Sequence, residues 1–270
     1  MIGKFLSPLL RLRAFAGASF RDHLSHRVRL FVRFIMCVMF MYVFVEFWRL
    51  IIREGLLTTD IPVTDLCWYA SITQMMLFLS SRLFMVIEDD VRSGDIAYFL
   101  MRPVSYTALR ISEGLGSMSA NAALYYTAGI AALYFYIGAL PSGGWPALLS
   151  ALFLLYLGSI LHLVFQTIAG LTALWLNDAE SIYRIYQKLL IVLGGLYMPI
   201  LFYPEWLQRI AELTPYYVMM YLPASMLLGA TEPMPLIEAV GLVGLWMVIA
   251  MSLLSFVFRF CVRRLEINGG

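Results

Sequence analysis

The sequence predicts an all-α integral membrane protein with six transmembrane helices. Hydrophobic residues make up 61% of the 270 residues and charged residues only 13%, whereas soluble domains average about 45–50% and about 25%. When a soluble domain of this size folds, about a quarter of the surface of the unfolded chain stays exposed. Such a domain could not bury this many apolar side chains. The composition therefore argues against a soluble enzyme, a disordered protein and a secreted disulfide scaffold.

The apolar residues are gathered into segments of helical length. A helix that crosses a bilayer core of about 30 Å needs about 20 apolar residues, and segments that meet or approach this length recur six times. We predict spans over about residues 30–52, 65–87, 111–138, 147–176, 188–202 and 236–258. The fifth segment is clearly shorter than the others.

The distribution of Lys and Arg indicates how the chain is oriented, because these residues concentrate in cytoplasmic loops. With six spans both termini lie on one side, and nearly all Lys and Arg residues fall on that side. The opposite side receives Arg49, Arg53 and Arg209. We therefore predict cytoplasmic termini, and the bias itself favours an even number of spans.

Residues 1–29 mix apolar and basic side chains ahead of the first span. Phe5, Leu9 and Phe20 belong to a set of apolar residues at helical spacing between the arginines. We predict an amphipathic helix that lies on the cytoplasmic leaflet, with a solvated basic tail as the alternative. The chain then divides into this helix and a transmembrane domain of residues 30–270.

A proline-rich stretch, residues 203–235, lies on the outer side before the last span. Within it Trp206, Ile210 and Leu213 share one face of a short helix, and Arg209 lies on the other. Because the preceding span is short, we predict a re-entrant or interfacial helix between the fifth and sixth spans.

Motifs for nucleotide, metal or nucleophilic chemistry do not occur in the sequence. There is no G-x-x-x-x-G-K-[ST] loop, G-x-S-x-G elbow or H-E-x-x-H pair. The three cysteines are scattered, and a net charge of +2 is too small to indicate nucleic acid as a partner. His162 is the only histidine within a predicted span, and we interpret it as a cross-helix hydrogen-bonding residue. We expect no enzyme activity and no cofactor or metal in this chain.

A small charged group lies near the outer end of the first span. Glu46 is followed by Arg49 and Arg53, three and seven residues later, on the same helix face. A charge at the centre of a membrane helix costs about 2.5–3.5 kcal/mol, and the cost falls toward the interface. We interpret the group as a neutralised interfacial ion pair, with a substrate contact as the alternative.

The longest polar interval between spans on the cytoplasmic side covers residues 88–110. It opens with three consecutive acids, Glu88, Asp89 and Asp90. Helical spacing then places three apolar residues on one face: Ile96, Phe99 and Leu100. Pro103 ends the piece, because proline cannot continue a helix. A short helix of this kind suits docking on another protein, and an ordinary membrane-surface loop is the alternative.

Two stretches of the sequence resemble a known family. Residues 90–104 (DVRSGDIAYFLMRPV) resemble the segment after the second span of ABC-2-type permeases, the membrane subunits of one class of ABC exporter. The external motifs PEWL, LTP and YLP, which begin at residues 204, 213 and 221, resemble the segment before the last helix of the same family. The chain is closest to the compact bacterial branch, in which the ATPase is a separate polypeptide.

The resemblance implies a permease in the cytoplasmic membrane that pairs with a second permease, identical or paralogous, above two ATP-binding subunits. Those partner subunits would hold ATP and Mg²⁺. Residues 88–104 would form the coupling helix that enters a groove on the ATPase. The family pattern is matched at Arg92, Gly94, Leu100, Arg102 and Pro103.

The resemblance also implies two further sets of site residues. A second, lesser cytoplasmic contact would involve Asp178, Glu180 and Arg184. The second and fifth spans would line the translocation path, with Tyr69, Thr73, Met76 and Tyr197 as the candidates that face it.

We therefore predict the permease subunit of an ATP-driven exporter. ATP binding would close the partner subunits, the docked helix would transmit that movement, and the cavity between permeases would switch from inward to outward access. The alternatives are a secondary transporter or channel subunit, an intramembrane lipid-modifying enzyme, and a scaffold subunit of a larger complex.

Overall fold

The computed structural model describes residues 2–101, 104–176, 179–229 and 234–268. Within these ranges the chain is helical and contains no strand, which confirms the predicted all-α class. The longer helices are α1 (Ile2–Ser25), α2 (Arg27–Arg53), α3 (Val63–Leu79), α4 (Leu83–Ser93), α6 (Tyr106–Leu124), α8 (Gly144–Leu171), α10 (Ala179–Leu193) and α13 (Leu236–Asn268). The shorter ones are α5 (Asp95–Leu100), α7 (Ile130–Ile137), α9 (Ala173–Leu176), α11 (Glu205–Glu212) and α12 (Leu222–Ser225).

Four helical stretches in the described residues are long and apolar enough to cross a membrane. They are Arg27–Arg53, Val63–Ser93, Gly144–Leu176 and Leu236–Val262. These stretches coincide with the first, second, fourth and sixth predicted spans. The protein is therefore a helical membrane protein with several apolar helices, and the count of six spans stays a prediction.

The third predicted span lies on a continuous helical path from Tyr106 to Ile137. A π-helical turn, Tyr125–Gly129, joins α6 to α7 along this path. α7 is strongly apolar, but α6 buries small and polar residues such as Ser117 and Asn121 between helices. These residues lower the hydropathy of α6, although they are themselves buried.

The fifth predicted span, residues 188–202, does not form one helix, so its boundaries are corrected. α10 begins earlier, at Ala179, and ends at Leu193. Gly195 then adopts φ +69°, a left-handed conformation that suits the end of a helix. A Cβ on this glycine would stand 2.7 Å from the Tyr69 hydroxyl, so the turn and the packing of α3 depend on each other.

α3 lies at the centre of the described fold and packs against α2, α8 and α12. Most of its residues are buried, including Trp68 and Met75. α2 and α13 lie at the periphery, and most of their apolar side chains remain exposed in the single chain. In a membrane protein such faces contact lipid or another subunit.

α1 packs closely against α6. Gly116 allows the two backbones to touch, because a Cβ there would lie 2.1 Å from the carbonyl oxygen of Ala16. The Ser19 hydroxyl donates a hydrogen bond to the carbonyl oxygen of Glu113 at 2.7 Å. The helix predicted over residues 1–29 therefore ends at Ser25, and one of its faces is covered by protein.

The second predicted span is interrupted at residues 80–82, between α3 and α4. Polar side chains from three neighbouring helices satisfy the backbone groups that this break frees. Arg33 of α2 donates to the carbonyl oxygens of Phe78 and Ser80 at 3.0 and 3.1 Å. Asn121 of α6 donates to the carbonyl oxygen of Leu79 at 2.8 Å. The side-chain oxygen of Gln166 on α8 accepts a hydrogen bond from the Leu83 amide at 2.8 Å. Broken helices are tolerated at membrane depth when neighbouring helices supply such partners. These hydrogen bonds hold the backbone at the break in one position.

Candidate functional site

The candidate site lies where α4, α5 and α6 meet. α4 is amphipathic: Phe84 and Ile87 are buried, whereas Asp89 and Arg92 are exposed. Gly94 ends α4 with φ +80° and leads directly into α5. The left-handed glycine turns the chain sharply, so that α5 returns toward α6.

Asp90 connects α4 to α6. Its carboxylate accepts hydrogen bonds from Arg110 Nε at 2.7 Å and from Arg110 Nη2 at 2.6 Å. The Tyr106 hydroxyl donates a third, at 2.5 Å. The side chains of Asp90 and Arg110 are only 10% and 11% exposed. A two-point pair between guanidinium and carboxylate fixes orientation as well as distance.

Arg110 also reaches α5 and its own helix. Its guanidinium carbon lies 4.6 Å from the centre of the Phe99 ring on α5, a distance typical of a cation–π contact. Its Nη1 atom donates to Glu113 Oε2 at 2.6 Å. One arginine therefore holds α4, α5 and α6 together, and we call Asp90, Phe99, Tyr106, Arg110 and Glu113 the Arg110 cluster.

Burial and hydrogen bonding shift the protonation of this cluster. Burial by itself lowers the pKa of Arg110, but the hydrogen bonds and charges of Asp90 and Glu113 outweigh it and raise the pKa overall. Burial raises the pKa of Tyr106, and the hydrogen bond to Asp90 raises it further. Both donors therefore keep their protons near neutral pH, and the link stays formed there.

The three acids that open the predicted coupling segment lie in different surroundings. Glu88 is buried, and its Oε1 atom lies 2.6 Å from Arg92 Nη2. Asp90 is buried in the Arg110 cluster, whereas Asp89 is exposed. Asp89 and Arg92 therefore face outward, and the other two acids contact their own chain.

Two apolar residues of the predicted coupling helix, Ile96 and Phe99, also contact their own chain. Ile96 is buried, and the Phe99 ring centre lies 5.9 Å from that of Tyr106. α5 ends at Leu100, and the predicted residues Arg102 and Pro103 lie outside the described residues.

Two exposed residues in this region were missed by the sequence analysis. Tyr98 is 57% exposed and Met101 is 78% exposed. Helical spacing identifies an apolar face, but it does not reveal whether the same chain or a partner covers that face. The folded chain buries Ile96 and leaves Tyr98 and Met101 exposed.

The second predicted cytoplasmic contact lies at the start of α10. Glu180 Oε1 lies 2.8 Å from Arg184 Nη2, and both side chains are exposed. Asp178 lies outside the described residues. Nearby, the rings of Tyr183 on α10 and Phe84 on α4 stack with centres 3.7 Å apart, so this region is joined to α4.

The four candidate path residues have different surroundings. Tyr69, Thr73 and Met76 are fully buried on α3. The Tyr69 hydroxyl donates to the Gly195 carbonyl oxygen at 2.6 Å, which ties α3 to the turn after α10. Tyr197 is exposed and stacks on a phenylalanine of α2 with ring centres 5.8 Å apart.

The charged group on α2 includes a partner that the sequence analysis missed. Arg49 Nη1 donates to Glu46 Oε1 at 2.8 Å, and the Tyr136 hydroxyl from α7 donates to the same oxygen. The Arg49 guanidinium carbon lies 5.0 Å from the Tyr136 ring centre. Arg53, the last residue of α2, is exposed.

His162 of α8 makes a cross-helix contact with α10. Its Nδ1 atom lies 2.5 Å from the Tyr186 hydroxyl of α10, and the two rings stack with centres 5.5 Å apart. Among the residues that the structure describes, no group of three or more His, Cys, Asp or Glu side chains could hold a metal ion.

Comparison with known proteins gives one family. The family model described as "ABC-2 family transporter protein" matches residues 38–269, which is most of the chain. No curated protein matches the sequence.

Proposed function

Because the chain belongs to the ABC-2 family of transporter proteins, we propose that it is the transmembrane permease subunit of an ATP-driven exporter. ABC-2 permeases normally work with ABC ATPase partners. In this proposal the partner ATPases bind ATP and Mg²⁺, and two permease chains, identical or paralogous, form the path through the cytoplasmic membrane.

The observation that carries the proposal is the way in which α5 is held at the end of α4. One side of α5 is fixed, because Ile96 is buried and Phe99 lies under Arg110. The other side exposes Tyr98, and Met101, the residue directly after α5, is exposed as well. A short helix that is fixed on one side and exposed on the other can receive a partner and pass its movement on. We expect the ATPase to contact Tyr98 and Met101.

Movement of α5 would pass into the membrane helices through α4. Gly170 of α8 packs so closely on Ile87 of α4 that a Cβ there would lie 2.8 Å from the Ile87 side chain. Phe84 stacks on Tyr183 of α10. Interiors packed at this density transmit displacement rather than absorbing it. The ends of α4, α8 and α10 should therefore move together when the ATPase closes.

We also propose that the chain crosses the membrane six times, with both termini cytoplasmic and a re-entrant segment between the fifth and sixth spans. Support for re-entry comes from the contacts of Met219. A Cβ on Gly158, midway along α8, would lie 2.7 Å from the Met219 carbonyl oxygen, and the Tyr186 hydroxyl lies 3.5 Å from Met219 Sδ. The middle of a spanning helix lies near the bilayer centre, so Met219 would reach that depth from the outer side.

Of the four candidate path residues, Tyr197 fits the proposed path best. Its side chain is exposed, whereas Tyr69, Thr73 and Met76 are buried within one chain. We therefore assign Tyr197 to the path and the three α3 residues to internal packing.

Co-purification tests the function and the docking residues separately. Wild-type protein extracted from its native membrane should co-purify with an ATP-binding protein, and the purified sample should hydrolyse ATP. Met101→Asp should abolish this, because a charge would enter the docking surface. The matched control is Leu56→Asp, which changes an equally exposed apolar residue in the loop after α2.

The outcomes separate two failures. Recovery of wild-type protein without any ATP-binding protein would overturn the proposed function. Recovery of the ATPase with Met101→Asp at the wild-type level would instead overturn only the assignment of α5 as the docking helix.

A further inference from the structure

A basic cleft lies where α1 meets α2. The chain leaves α1 at Ser25 and enters α2 at Arg27, and the junction borders a cleft of about 640 Å³. Arg27, Arg29 and Arg33 line this cleft together with Val28 and Val32. We call it the α1–α2 cleft.

The arginines of the α1–α2 cleft keep their positive charge. In the ranges that the structure describes, none of its three arginines forms an ion pair with Asp or Glu. Arg33 is held by two backbone carbonyl oxygens at 3.0 and 3.1 Å, which fix its position but leave its charge. Arg27 and Arg29 are exposed. Neighbouring like charges repel each other, and an anion between them would relieve that repulsion.

An exposed apolar lane begins at the cleft and runs along α2. Val28, Val32, Ile35 and Met39 follow one another on one helix face, and each is at least half exposed. With a rise of 1.5 Å per residue the lane is about 17 Å long. One leaflet of a bilayer core is about 15 Å thick, so the lane matches the length of an acyl chain.

We propose that the α1–α2 cleft binds the headgroup of an anionic phospholipid of the cytoplasmic leaflet, with an acyl chain along the Val28–Met39 lane. Guanidinium groups bind phosphate oxygens at two points, and basic residues directly next to a membrane helix attract the anionic lipids of the cytoplasmic leaflet. A free phosphate would use the arginines but leave the lane empty. A zwitterionic lipid would fill the lane but add a cation beside three arginines. The proposal does not depend on ATPase coupling.

Lipid binding to the full-length protein can be measured directly. The protein is delipidated in detergent and mixed with phosphatidylglycerol, with phosphatidylcholine of the same acyl chains, or with glycerol phosphate, and bound molecules are counted by native mass spectrometry. We expect phosphatidylglycerol to be retained at least several-fold more than phosphatidylcholine, and glycerol phosphate not to be retained.

The double variant Arg27→Gln/Arg29→Gln should reduce phosphatidylglycerol retention to the level of phosphatidylcholine. The matched control, Arg53→Gln, removes an exposed arginine from the opposite end of the same helix and should behave like the wild type. Thermal unfolding in the same detergent shows whether the variants are folded. If the double variant does not fold, Val32→Asp tests the lane instead and should lower retention equally.

The proposal is overturned by either of two results. One is equal retention of the two lipids by the wild type. The other is wild-type retention of phosphatidylglycerol by a folded cleft variant.

Discussion

The Asp90 carboxylate accepts two hydrogen bonds from the Arg110 guanidinium, at 2.7 and 2.6 Å, across the space between α4 and α6. The two residues are 20 positions apart in the chain, and α5 lies within that interval. Because the Phe99 ring packs on the same guanidinium, the pair sets the position of α5 relative to both longer helices. The proposed docking helix therefore depends on a residue outside it.

Arg110→Ala should strongly destabilise this end of the protein. Removing one partner of a buried pair costs about 3–5 kcal/mol, because the remaining charge is left uncompensated. Arg184→Ala is the matched control, since its pair with Glu180 is exposed and such pairs contribute about 0–1 kcal/mol. Thermal unfolding in detergent should show a clear drop for the first variant alone. Equal transitions for the two variants would mean that the cluster does not hold α5.

Gly94→Ala should weaken the turn between α4 and α5 without any steric clash. Gly94 has φ +80° and open space around it, and an L-residue in this conformation costs about 1–2 kcal/mol. Gly17→Ala is the matched control, because Gly17 lies in helix α1, a Cβ added there would meet open space, and alanine favours helix there. We expect ATPase activity that co-purifies with the protein to fall for Gly94→Ala and to be kept for Gly17→Ala. Unchanged activity in both would show that the bend is dispensable.

Gly116→Val should release α1 from α6. The Ala16 carbonyl oxygen occupies the position of the added side chain. Because this oxygen belongs to the backbone, side-chain movement cannot make room, and the two helices would have to separate. Trypsin should then cleave after the arginines of α1 faster than in the wild type. Gly241→Val, on α13 with open space around it, should leave cleavage unchanged. A wild-type cleavage rate for Gly116→Val would contradict close packing of the two backbones.

Acid should also loosen α1, through His23. Its Nε2 atom lies 2.9 Å from Asn121 Oδ1, and burial lowers its pKa below the ordinary 6.5. The hydrogen bond to Asn121 raises the pKa in part, and the charges of Arg33 and Arg29 lower it further. A histidine whose pKa is lower in the folded than in the unfolded state stabilises the fold above pH 6.5, the unfolded value. This stabilisation is lost as the pH falls through the pKa of the folded state.

Hydrogen exchange measures this effect directly. Protection of the α1 amides should fall between neutral pH and pH 5, after correction for the intrinsic pH dependence of exchange. His23→Gln, which retains a donor for Asn121 without a titrating group, should remove that fall. A pH response of equal size in the variant would assign the effect to another group.

The apolar segments and the charge bias were sufficient to predict an all-helical membrane protein. A bilayer demands long apolar helices whatever surrounds them, so α2, α8 and α13 are visible in the sequence itself. The motif around residues 90–104 likewise resembles the ABC-2 family, and the family model confirms this resemblance. Local patterns of this kind depend only on residues that are near one another in the chain.

The tertiary structure decided which face of each element is covered. The sequence predicts Ile96 as a docking residue, but its own chain buries it. Asp90 belongs to the same predicted docking segment, but it pairs with Arg110. The polar face of α6 is shielded by α1, which contacts it through Gly116. Such burial depends on residues distant in sequence, and helical periodicity does not show which element packs on a given helix face. For this physical reason the elements were predictable from the sequence, whereas the Arg110 cluster and the exposed pair Tyr98 and Met101 required the fold.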